Sequence, residues 1–72
     1  MNTKLLDEVQ IDLGRLLTRT EEWEKTIVIE VIDRHILSLE QAIENMPIKK
    51  SAVDNDLIHY YFLYNRFKWT LS

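Results

Sequence analysis

The sequence predicts an all-α domain of two or three helices, a hairpin or bundle that dimerises into a larger helical bundle. Three observations predict it. Apolar residues recur at three- and four-residue spacing through most of the chain. Gly14 is the only glycine and Pro47 the only proline, too few tight-turn residues for a β-rich domain of this size. The C-terminal segment is apolar on nearly all sides, which asks for burial against more than one neighbour.

The 72 residues form a single small domain, 1–72. A domain this short buries only about 60% of the surface its unfolded chain exposes. Such domains usually draw on disulfides, a metal or oligomerisation. Cysteine is absent, so disulfides and Cys-based zinc sites are excluded. A second subunit or a partner is then the expected source of extra stability. The lack of cysteine also fits a cytoplasmic protein. The N-terminal stretch MNTKLLDEVQIDLG has acids among its apolar residues, unlike a signal peptide. No run of about 18 apolar residues occurs, so no membrane span is expected.

The first helix is expected over about 3–17. Leu5, Leu6, Val9, Leu13, Leu16 and Leu17 fall on one arc, with Lys4, Asp7, Glu8, Asp12 and Arg15 opposite. Gly14 lies away from the apolar arc and costs about 1 kcal/mol of helix propensity relative to Ala.

A second helix is expected over about 21–46. Its start has two candidate signals, Thr18 with Glu21 as a capping box and Thr20 followed by Glu21 and Glu22. A turn, a kink and one continuous rod near Thr20 all remain open. The arc runs through Val28, Val31, Ile32, Ile36, Leu39, Ala42, Ile43 and Met46. TIVIEVI (26–32) is rich in β-branched residues, which favour strands. It lacks strict alternation, however, and the helical arc continues past it. Pro47 ends the helix because it lacks an N–H and disfavours helical geometry before it.

After a loop at 47–51, the third helix is expected over about 52–70. Ser51 with Asp54 resembles a capping box, and Asp54 or Asn55 are alternative caps. One stripe holds Val53, Leu57, Tyr60, Tyr61, Tyr64, Phe67 and Leu71, an ordinary core face. A second stripe of Ile58, Phe62 and Trp69 lies roughly opposite, and Leu63 stands on a third side. Two other helices of a monomer would struggle to cover both stripes. Tyr and Trp combine apolar area with a polar tip and recur at interface hot spots. Ile58, Phe62, Arg66 and Trp69 are therefore the candidate partner-binding residues.

Motifs for catalysis are missing. A single glycine rules out phosphate-binding glycine loops and nucleophile elbows. Carrier proteins take their prosthetic group on the serine of an Asp-Ser-Leu context. Here Ser38 lies in LSLEQ and Ser51 in KKSAV. His35 projects from the apolar face of the second helix and reads as a part-buried structural residue. His59 with Asp56 reads as a surface pair, because a metal site needs at least three ligands. The remaining acids read as solvated helix faces. No enzyme activity, cofactor or metal is expected.

Net charge is −3 and unevenly spread. Residues 1–46 hold ten acids and five bases, a net of −5, and residues 47–72 hold two acids and four bases, a net of +2. The expected function is a small non-enzymatic adaptor, inhibitor or regulator that docks its aromatic C-terminal helix on another protein. The alternative is a nucleic-acid-binding regulator. It would use Lys49, Lys50, His59, Tyr60, Tyr61, Tyr64, Arg66, Lys68 and Trp69 to neutralise phosphates and stack on bases. The sequence pI of about 5.2 weighs against it, since such binding depends on positive charge. A membrane-surface role has less support still, because such helices are richer in Lys and Arg.

Overall fold

The computed structural model describes residues 3–19 and 24–71. Among them are three packed α-helices and no strand: α1 (Thr3–Arg19), α2 (Lys25–Glu44) and α3 (Ala52–Leu71). The β-branched run of α2 is helical, as its 3.6-residue arc requires.

Helix boundaries follow from where backbone groups find partners. α1 runs two residues further than expected. The Thr18 hydroxyl donates to the Gly14 carbonyl at 2.9 Å and lies 3.3 Å from the Arg15 carbonyl. Thr18 thus sits inside the last turn of α1, bonded back into its own helix, and does not cap α2. Thr20, Glu21 and Glu22, the other cap signal, lie outside the described residues. α2 begins at Lys25 rather than 21, after Glu24, which makes no side-chain capping bond. A continuous rod is excluded, because α1 and α2 are separate helices that touch side by side through Asp12 and His35.

α2 also stops earlier than expected, at Glu44 rather than 46. The Met46 N–H donates to the Ile43 carbonyl at 3.2 Å, a three-residue closure. In a continuing helix that carbonyl would await the amide of residue 47, which proline lacks. The Asn45 side-chain amide donates to the Gln41 carbonyl at 2.9 Å and satisfies another terminal carbonyl. α3 starts as the Ser51–Asp54 spacing implies. The Ser51 N–H donates to Asp54 Oδ2 at 3.0 Å and the Asp54 N–H donates to Ser51 Oγ at 3.2 Å. This reciprocal pair is a capping box.

The core is formed by Leu6, Val9 and Leu16 of α1, Val28, Ile32 and Leu39 of α2, and Leu57 and Tyr64 of α3. Leu17, expected on the same arc, is instead 61% exposed at its edge. α3 packs most extensively on α2 and also on α1, while α1 and α2 meet least. α3 is therefore the central helix of a flattened bundle with Cα extents of 39 × 19 × 14 Å. The short connection at 45–51 joins two helices that pack along each other, so α2 and α3 run antiparallel, and Lys68 in the last turn of α3 pairs with Asp33 in the first half of α2 at 2.6 Å. Among the described residues, no helix is long and apolar enough to cross a membrane.

Gly14 is exposed, and a Cβ added there meets nothing within 4 Å. Gly14→Ala is expected to raise stability by about 0.5–1 kcal/mol. Thermal melts followed by circular dichroism check this, and an unchanged or lower midpoint contradicts it. Leu57→Ala, at a fully buried position, is expected to cost about 2–5 kcal/mol in urea titrations.

Candidate functional site

Two places combine chemistry with position: a buried polar junction and the outward face of α3.

The junction joins all three helices. Tyr64 is fully buried and its hydroxyl donates to the Val9 carbonyl at 2.7 Å. Its ring lies 5.4 Å from the His35 ring, tilted by 46°. His35 is 8% exposed, and its Nε2 lies 2.6 Å from Asp12 Oδ2. The part-buried structural role expected of His35 matches this placement. Asp12, expected on a solvated face, instead reaches across to α2, so that expectation is corrected. The reason is geometric: Asp12 sits at the edge of the arc of α1, where its carboxylate reaches the imidazole of α2 while its side chain stays 31% exposed. Among the described residues, every buried side-chain nitrogen or oxygen has a hydrogen-bond partner. The junction thus satisfies its polar groups internally and ties α1 to the other two helices.

His59 is exposed and packs edge-on against Tyr60, with ring centroids 6.0 Å apart at 72°. The expected Asp56–His59 pair does not form. One turn of helix separates them, but the imidazole leans onto the neighbouring phenol instead. Among the described residues no three His, Asp or Glu side chains converge as metal ligands.

The outward face carries the residues singled out from the sequence. Phe62 is 65% exposed and Trp69 82%. Arg66 is exposed beside them, and Ile58 is half-buried. Ile58 is thus less open than Phe62 and Trp69, and the outward face is narrower than the sequence stripe. Phe62 keeps an edge-on contact with Tyr61, centroids 5.8 Å apart. Tyr60, Tyr61 and Phe67 pack against the core, as their stripe predicts.

The sequence reading missed a neighbouring groove. Where α1 and α3 lie side by side, Leu13, Leu17, Leu63, Arg66, Phe67 and Thr70 line an open, mainly apolar depression of about 230 Å³. Leu63 on its third side and the outer leucine of the α1 arc were the available signals. Only the relative rotation of the two helices brings them together.

Comparison with known proteins adds nothing to this geometry: no family model, no curated protein and no solved structure matches the chain.

Burial, and then the charges of Asp12 and Tyr60, hold the Tyr64 phenol well above the usual tyrosine range. In the unfolded chain it ionises near pH 10. Above about pH 10 the unfolded state has lost a proton that the native state keeps, so stability falls as pH rises. The contribution is fully present below that pH. Tyrosinate absorbance during alkaline titration should show one phenol that ionises only as the helices melt. That step should vanish in Tyr64→Phe, which should also cost about 1 kcal/mol at neutral pH. Ionisation of all three tyrosines with helicity intact would contradict the buried phenol.

Proposed function

We propose that this chain is a small non-enzymatic binding protein, an adaptor, inhibitor or regulator, that docks on another protein through the outward face of α3. The observation that carries the proposal is the exposure of Phe62 and Trp69 on a regular helix, beside an apolar groove. Large aromatic rings held on a rigid element supply contact area at low entropic cost, which suits an interface hot spot.

Area extends the surface beyond these two rings. At 65% and 82% exposure, Phe62 and Trp69 together offer on the order of 300 Å². A standard interface covers about 800 Å² on each partner. The docking surface therefore includes the groove leucines, Leu13, Leu17 and Leu63, and the edge of α1. A second copy of the chain, the homodimer expected from the sequence, would compete for this same surface.

The nucleic-acid alternative draws less support from the same coordinates. Tyr60, Tyr61 and Tyr64 face the bundle rather than a ligand, and Lys68 is engaged by Asp33. Arg66 does stand beside the exposed rings of Phe62 and Trp69, but a chain of net charge −3 supplies little of the positive charge that binding a phosphate backbone needs.

Photo-crosslinking in the native host tests the proposal. A benzoylphenylalanine at position 62 is expected to give a discrete adduct with one other protein. The same group at Leu37, which is 57% exposed on α2, should not. Equal adducts from both positions, or none from position 62, would refute docking through α3. An adduct made only of two copies of the chain would assign the face to self-association.

A further inference from the structure

The charge pattern on the outward face of α3 restricts what can occupy it, granted that this face docks a protein. We infer that the occupant is an amphipathic helix whose apolar face carries one carboxylate, and that this carboxylate pairs with Arg66.

Arg66 stands between two apolar strips. At 100° per residue, Phe62 and Trp69 lie about 40–60° to one side of it and Leu63 about 60° to the other. Leu63 belongs to the groove, with Phe67 and the α1 leucines. No Asp or Glu lines that groove. Among the described residues Arg66 makes no ion pair. Any partner that covers both strips also covers the guanidinium. A wholly apolar partner would strip its water and return nothing, which is costly. A carboxylate returns two parallel N–H···O bonds to the planar guanidinium. The groove runs between two helices along α3 from Leu63 to Thr70, about 10 Å of helix axis. A helix laid along it offers apolar anchors at matching spacing.

The same geometry disfavours a second copy. Along α3, Arg66 falls between Phe62 and Trp69, at the middle of the patch. A two-fold axis through that patch sets Arg66 against its own symmetry mate. Like charges so placed oppose association. The chain also carries a net charge of −3, which adds to the repulsion between copies.

A double-mutant cycle with designed peptides tests the inference. Two labelled helices of about 18 residues, long enough to hold helical structure in water, carry one leucine stripe. They differ only in a central Glu or Gln on that stripe. By fluorescence anisotropy at low salt, the Glu peptide is expected to bind about tenfold or more tightly than the Gln peptide. Arg66→Gln should erase the difference, and Phe62→Ser should weaken both peptides alike. Arg66 is exposed, so circular dichroism should report an intact bundle in Arg66→Gln. Equal binding of the two peptides, a difference that survives Arg66→Gln, or no binding of either would overturn the inference. If neither binds while crosslinking from position 62 still captures one protein, docking through α3 stands and only the occupant's chemistry falls. A concentration-dependent dimer in sedimentation, lost in Phe62→Ser, would overturn the inference in favour of a second copy.

Discussion

The Tyr64 phenol is the contact on which the arrangement of the three helices depends. A fully buried tyrosine must give its hydroxyl a partner, since a stranded donor costs about 1–3 kcal/mol. The partner is the Val9 carbonyl, halfway along α1. That bond sets how far α1 slides along α3. The ring lies tilted against His35 of α2, and His35 in turn holds Asp12 of α1. Helices α1 and α2 touch little elsewhere. The junction therefore stands in for the apolar contact that a more symmetrical bundle would place between them.

A central α3 follows from this arrangement, and so does its composition. A helix with one neighbour needs one apolar stripe; a helix between two neighbours needs a much wider one. Leu57 and Tyr64 lie in the core, Tyr60 and Tyr61 pack against it, and Phe67 and Leu63 lie beside the leucines of α1. Two flanking helices still leave the third side uncovered. Phe62, Arg66 and Trp69 occupy it, so the surplus of apolar residues on α3 has two causes. Most of it serves a two-sided core. The remainder faces outward.

Much of the candidate surface was legible because helical periodicity separates faces without any knowledge of neighbours. Phe62 and Trp69 had to point away from Leu57 and Tyr64 on any regular helix. Ile58 was harder, because a position on the flank of a helix is covered or open depending on where the neighbouring helices sit. The groove was not legible at all: it needs Leu13 and Leu17 of α1 beside Leu63 and Phe67 of α3. Asp12 and His35 are 23 residues apart. Periodicity placed each on its own helix and could not pair them.

The chain by itself determined its helical class, the stop before Pro47, the capping box at Ser51 and Asp54, and the core stripe of each helix. These depend on local backbone sterics, nearby hydrogen bonds and side-chain spacing, all of which act within a few residues. Tertiary structure decided which helix is central, that Asp12 is drawn to His35, that Leu17 is left at the edge, and how wide the outward face of α3 is. Those outcomes depend on the rotation and sliding of whole helices. Contacts between residues far apart in the chain set both, above all the bond from Tyr64 to Val9.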